Sequence, residues 1–278
     1  MKIRICIVTM TPELAYQAAN SAIENAEGDV EVWIGANMCQ IDESRIVPRK
    51  SGAPVDVHVV STGDNEGVVP MMHALWDRIT RDTSQVPVDD ILCFVHDDCL
   101  LLESGWDGRV VSIFSTQSNA DCIGLVGGTG IGAADIYRAP YQMIQLARHN
   151  VHSAMLDAEA HGKRATGPMK LATADGCALF VRRSFLDELG GWSSWWPEPN
   201  HGYDNALACM LRRKRRDMWL LPIIFQHPST LKLSLPEGFK NSRAMERYVE
   251  RFGQDHTIHE RAHLRLYDTF ADVLPFHV

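Results

Sequence analysis

The sequence predicts an α/β fold: a mostly parallel sheet sandwiched by helices, with a helical C-terminal extension. Three observations carry that reading. Short apolar runs (IRICIVT, EVWIG, VDVHVV, ILCFVH, CIGLVGG) alternate with segments of helical spacing, and strand–helix–strand repeats place their strands parallel. Polar residues stand where several of these runs end, which is where open α/β sheets bind ligands. The chain has 278 residues, enough to bury roughly 75% of its unfolded surface around a substantial core.

In chain order, residues 3–9 read as a buried strand. Thr11 then caps a helix with Pro12 at its first position, and Leu14, Ala18, Ala22 and Ala26 recur at helical spacing. Strands are expected at 31–35 and 55–60, the latter ending in the turn-rich STGDNEG. A helix over 70–81, a strand over 91–98 and another over 122–128 follow. Between 135 and 170 no period is sustained, which predicts a mobile loop over a site. GCALFVRRSFLDELGGW reads as a strand and a short helix stopped by Gly190 and Gly191. A helix over 204–216 and the apolar run WLLPIIFQH complete the pattern. The polar, mostly helical tail divides the chain into a domain over 1–235 and an extension over 236–278.

Lys and Arg total 27 against 35 Asp and Glu, for a formal charge of −8. The broad basic footprint of a nucleic-acid binder is absent. Seven cysteines without a C-x-x-C pair point to reduced, buried thiols. No run approaches the ~20 apolar residues of a membrane span, and the N-terminal run reads as a strand, not a signal peptide. A soluble, cytoplasmic protein is expected.

Two stretches carry chemistry. In ILCFVHDDCLLLESGW, His96, Asp97 and Asp98 interrupt a buried run. Adjacent carboxylates at a strand end repel unless solvated or bridged by a cation, so a divalent-metal site and a plain Asp-rich turn both stay open. The second stretch places Asp175 and Gly176 before a strand, Gly190-Gly191-Trp192 after a helix, Gly202-Tyr203-Asp204 at the start of the next helix, and His227 at the end of the last strand.

Together these segments resemble the nucleotide-sugar-dependent glycosyltransferases of the GT-A fold, in their large inverting family. HDD followed by LLLESGW is similar to the family's acidic metal motif. DG-ALFVRR-FL-ELGGW is similar to its acceptor segment, and HGYDNALACMLRR to the segment of its catalytic base. The resemblance implies a Rossmann-like sheet, an Mn or Mg ion and a nucleotide-diphosphate-sugar donor. It makes Asp98 a metal ligand, with His227 joining the shell, and Asp204 the base. It places Thr9, Asn37, Asp64, Asn65, Gly67, His96 and Asp97 at the donor, and Gly128 joins them as part of the glycine-rich loop at 127–135. Asp175, Gly176 and Tyr203 fall to the acceptor, and the flat faces of Trp195 and Trp196, flanked by Ser and Pro, suit an acceptor platform. His96 stands where many members have Asp, Tyr203 where many have a second acid, and Asn37 replaces a more usual acid.

A base opposite the leaving group implies a single displacement with inversion. The acceptor hydroxyl is not identified. A modified nucleic-acid base is one option, suggested by the basic run Arg212–Arg216, whose ordinary reading is a solvated helix face. Two other functions stay open: a nucleotidyltransferase on the same kind of acidic metal site, and a non-catalytic sugar-nucleotide binder. HERAH at 259–263 matches the zinc-protease helix H-E-x-x-H, but no third ligand follows at metzincin spacing. GGTGIGAAD at 127–135 suggests a dinucleotide loop without the acid about 20 residues further on, so it reads as a loop shaping the donor pocket.

Overall fold

Residues Ile3–Thr9 form β1, buried along almost its whole length, as a strand must be between two layers of helices. It pairs in parallel with β2 (Val30–Asn37) on one side and β4 (Ile91–His96) on the other, and β3 (Val57–Thr62) extends the parallel set from β2. Beyond β4 lie β5 (Ala120–Gly124), β6 (Met169–Leu171), β7 (Ala178–Arg182) and β8 (Asp217–Leu220). The sheet order is β6-β8-β5-β7-β4-β1-β2-β3. β6 and β7 run against the other strands: β7 is antiparallel to both β4 and β5, and β6 to β8. The sheet is therefore mixed but mostly parallel. The reversal at β7 left no mark in the pattern, because a strand buried on both faces is apolar whichever way it runs.

The structure, a computed structural model, describes residues 1–48, 52, 54–82, 89–131, 151–152, 154–155, 163–227 and 255–278. Most of the segment expected to be a mobile loop over 135–170, and 236–254 of the tail, lie outside the described residues.

The helices are α1 (Pro12–Asn25), α2 (Val68–Asp82), α3 (Trp106–Thr116), α4 (Arg183–Leu189), α5 (Tyr203–Arg213) and α6 (Asp255–Phe270). Pro12 opens α1 as expected, but the Thr11 side chain makes no capping bond. Strand alternation sorts the core into two faces. Ile3, Ile5 and Ile7 point toward α1 and α3, in a cluster with Tyr16, Ile23, Trp106 and Phe180. Cys6, Leu92 and Phe94 point the other way, into a cluster with Leu75, Trp192, Leu207 and Phe270.

The C-terminal segment joins this second cluster. Ala262, Leu266, Tyr267 and Phe270 of α6 are buried in it, and Phe276–His277 pairs antiparallel with Gly130–Ile131. No helix among the described residues is long and apolar enough to cross a membrane. The cysteines are free, all buried except the half-buried Cys39.

The apolar run expected as one last strand is two. β8 stays in the central sheet, whereas Ile224–Gln226 leaves it after Pro222 and pairs antiparallel with Leu100–Leu101. A proline has no N–H to donate to the ladder, so a break there is natural. The register sets Gln226 opposite Leu100. That returns His227 to the turn just beyond β4.

Candidate active site

β4 ends at His96, whose N–H donates to Cys177 O of the neighbouring segment at 2.9 Å. The chain then turns through Asp97 and Asp98, closed by Cys99 N–H to His96 O at 3.0 Å. His96, Asp98 and His227 each bring one potential ligand atom to within 4.8 Å of the others. His227 Nε2 lies 3.2 Å from Asp98 Oδ1, and the two imidazole rings are 5.6 Å apart. Asp98 is 3% exposed, and its Oδ2 has no hydrogen-bond partner among the described residues. A buried carboxylate oxygen without a donor is costly. Two imidazole nitrogens beside it complete a donor set that suits a divalent cation, so the residues present fit a metal.

The electrostatics follow from this packing. Burial works to lower the His227 pKa, but the hydrogen bond and charge of Asp98 outweigh it and raise the imidazole to about 9. His96 is pushed down, chiefly by burial. Asp97 is not a member of the trio. Its Oδ2 lies 2.6 Å from the Thr9 hydroxyl, and burial, reinforced by the charge of Asp98 against that bond, raises its carboxyl to about 7. The sequence grouped Asp98 with His227 and set His96 with the donor; the fold puts His96 beside both.

Gly202, at φ +74°, opens α5. Tyr203 follows, 6% exposed, with its hydroxyl 2.8 Å from His96 Nε2 and donating to Gly176 O at 3.4 Å. Asp204, the next residue, is partly exposed, and its Oδ1 accepts the Asn205 N–H at 2.8 Å. Burial, then the charge of Asp175, raises its carboxyl to about 7, against backbone bonds from Asn205 and Gly176. Asp175 is exposed, and its Oδ1 holds the Cys177 N–H at 2.8 Å. The chain of neighbours His96, Tyr203, Gly176 and Asp204 thus joins the metal-type trio to the base candidate in one site.

Neither the Tyr203–His96 bond nor the role of Gly176 was legible from spacing. A side chain at Gly176 would collide with the Tyr203 hydroxyl and approach its Cζ to 2.7 Å. Gly176→Ala is therefore expected to destabilise the fold by about 1–3 kcal/mol through overpacking. A denaturation midpoint equal to wild type would show that Tyr203 is not seated there.

At the first three strand ends the predicted residues gather, several of them turned inward. The Thr9 hydroxyl also accepts the Thr11 N–H at 2.8 Å. Asn37, 2% exposed, donates to Gly67 O and accepts from the Thr62 hydroxyl and Glu66 N–H, each at 3.3 Å. Asn65, also 2% exposed, accepts the Gly67 N–H at 3.0 Å. Asn37 and Asn65 thus shape this turn, while Asp64 is exposed upon it. Gly67 has φ +91°, and a Cβ there would press within 2.8 Å of Pro199 O. Pro199 O and Asn200 Oδ1 in turn accept the first amides of α2, from Val69 at 2.8 Å and Val68 at 3.1 Å. The turn beyond β3 is thereby docked on the loop leading to Asp204. Gly128 O accepts Ala172 N–H at 2.8 Å, which fixes that glycine strand against the segment before Asp175.

One expectation is corrected outright. Trp196 is 0% exposed and donates its Nε1 hydrogen to His201 O at 2.8 Å, so it has no face to offer an acceptor. Apolar packing under Gly202 claims it. Trp195 is half-buried, tilted on the buried Trp192 at 5.4 Å, and remains the only tryptophan of the three with an open portion. The basic run 212–216 is exposed throughout, as its reading as a solvated face expects, and surface contacts occupy four of its residues. Arg213 pairs with Asp272, Lys214 with Glu188 and Arg216 with Asp121, while Arg212 lies over the Phe276 ring. HERAH falls on α6, where His263 is 4% exposed; the side chains of His259 and Glu260 lie outside the described residues.

No protein-family model matches the sequence, and no curated protein does. Solved structures do resemble the fold. The N-terminal 349 residues of Staphylococcus aureus TarS superpose with a TM-score of 0.55 at 13% identity, over 99% of this chain and 74% of that one. The mannosyltransferase PcManGT from Pyrobaculum calidifontis, solved with GDP-Man and Mn²⁺, gives 0.51 at 11% identity, over 98% and 73%. GalNAc-T7, solved with UDP, GalNAc and Mn²⁺, gives 0.54 at 13% identity over 89% of this chain. This chain spans 47% of the length of GalNAc-T7. With its mixed, mostly parallel sheet between two helical layers, the chain has the GT-A fold of nucleotide-sugar glycosyltransferases.

Proposed function

We propose that this protein is a divalent-cation-dependent glycosyltransferase that moves a sugar from a nucleotide-diphosphate sugar to an acceptor hydroxyl, with inversion. One observation carries the reading: the His96–Asp98–His227 trio, with its orphaned buried carboxylate oxygen, adjoins the helix start that bears Asp204. The UDP, GDP-Man and Mn²⁺ bound in the similar structures support the donor and cation classes.

In this reading His96, Asp98 and His227 hold the cation, Mn or Mg. When bound, it supplies positive charge against the negative charge that gathers on a departing diphosphate. Thr9, Asp97, the 64–67 turn and Gly128 form the donor side. Asp175, Gly176 and Trp195 face the acceptor. Asp204 takes the proton of the acceptor hydroxyl as that oxygen attacks the anomeric carbon, and the bond to the diphosphate breaks on the far side. A carboxyl raised to about 7 suits a base working near neutral pH better than an ordinary aspartate would.

The test is a thermal-shift panel of nucleotide-sugars and nucleoside diphosphates with and without Mn²⁺, followed by product analysis. A cognate donor stabilises the fold by binding only its folded form, about 2.7 kcal/mol at a concentration 100 times Kd. The expected product is a nucleoside diphosphate and a glycoside of inverted anomeric configuration. Pyrophosphate release from a nucleoside triphosphate would make the protein a nucleotidyltransferase. Donor binding without turnover on any hydroxyl acceptor would make it a binder.

A further inference from the structure

Tyr203 stands between the two halves of the site, and its position decides which nitrogen of His96 is free. The ring is packed edge-on to Trp192, 5.9 Å between centroids at 87°, so it has little room to turn away. Among the described residues its hydroxyl meets His96 Nε2 at 2.8 Å and Gly176 O at 3.4 Å. A carbonyl can only accept. When the phenol hydrogen points to Gly176 O, a phenol lone pair is left to receive a hydrogen from Nε2. The opposite polarity, with the phenol donating to Nε2, places the ring hydrogen on Nδ1. His96 would then offer no lone pair to the trio, since one nitrogen is protonated and the other bonded to the phenol.

We infer that Tyr203 is a positioning residue that holds His96 as the Nε2–H tautomer, leaving the Nδ1 lone pair for a divalent cation shared with Asp98 and His227. The inference rests on the cation reading of the trio. It makes Tyr203 the outer partner that ligating histidines require for a fixed tautomer and ring orientation. Because Tyr203 is also the first residue of α5, whatever orients His96 also anchors the helix start that carries Asp204. Cation uptake and base position would then depend on one hydroxyl.

The test uses the whole chain and two readouts besides turnover. In ¹⁵N-histidine NMR of the cation-free protein, His96 should carry its hydrogen on Nε2; an Nδ1–H tautomer overturns the inference. Tyr203→Phe keeps the ring and its packing but removes the acceptor. It should mix the His96 tautomers and weaken Mn²⁺ binding, measured by calorimetry, about 10–100-fold, while the cation-free chain still unfolds in one cooperative transition, with a loss of stability no larger than the about 1–3 kcal/mol of a buried hydrogen bond. Wild-type affinity in Y203F removes the role of Tyr203 alone. Failure of the wild-type chain to bind Mn²⁺ at all removes both this inference and the cation-dependent function, so the two failures are distinct.

Discussion

Asp204→Asn is expected to reduce the turnover number by roughly 10²–10⁴-fold, the usual contribution of a positioned base, while leaving donor binding intact. The amide keeps nearly the same shape and can still accept the Asn205 N–H that Asp204 Oδ1 holds at 2.8 Å, so loss of fold would not explain the effect. In the wild-type protein kcat/KM should fall as pH drops through about 7, the value to which burial and Asp175 raise this carboxyl, because only the ionised form accepts a proton. The same displacement has a stability consequence. A carboxyl whose pKa is higher folded than unfolded binds more protons in the folded state, so folding weakens as pH rises from about 4 to about 7. Asp204→Asn removes that penalty. The variant should be more stable than wild type at pH 8, by about 1–2 kcal/mol after allowing for the carboxylate's partial exposure, and no more stable at pH 4. Turnover within tenfold of wild type, measured on the cognate donor and acceptor, would remove Asp204 from the mechanism.

Asp98→Asn should abolish cation dependence. The carboxylate is the one anionic group of the trio, 3% exposed, with one oxygen beside His227 and the other without a donor. An amide offers a neutral oxygen and an NH₂ that points hydrogens at the same place. Mn²⁺ affinity is expected to fall at least ~100-fold, since outer partners of metal ligands alone are worth 10–100-fold. Turnover should fall with it, and the difference between assays with Mn²⁺ and with chelator should vanish. Retained Mn²⁺ binding in D98N would place the cation elsewhere.

Much of this was legible in the residues. Buried strands need continuous apolar runs, and IRICIVT and ILCFVH satisfy that need on their own, so the strands carrying Thr9 and His96 were placed closely. The strand-end acids stood out as well, because they interrupt a buried apolar run. What failed did so where a property belongs to pairs of distant segments. The tryptophans show this well: Trp195 and Trp196, flanked by Ser and Pro, look alike as neighbours in sequence. One is nevertheless half-open and the other sealed under Gly202, because side-chain burial depends on what the fold lays over it. The basic run 212–216 does keep the exposed face read from it, and the fold adds only its partners Asp121, Glu188 and Asp272 from other elements.

Local physical chemistry, written along the chain, determined the sheet, the order of its elements and the identity of the acidic strand end, since periodicity and apolar length act over a few neighbouring residues. Only tertiary packing decided the reversed direction of β7, the return of His227 to the turn after β4, and the 2.8 Å meeting of Tyr203 with His96 across 107 residues of sequence. Those outcomes depend on strand register and on which hydrogens find acceptors, quantities that exist only once separate segments are brought together.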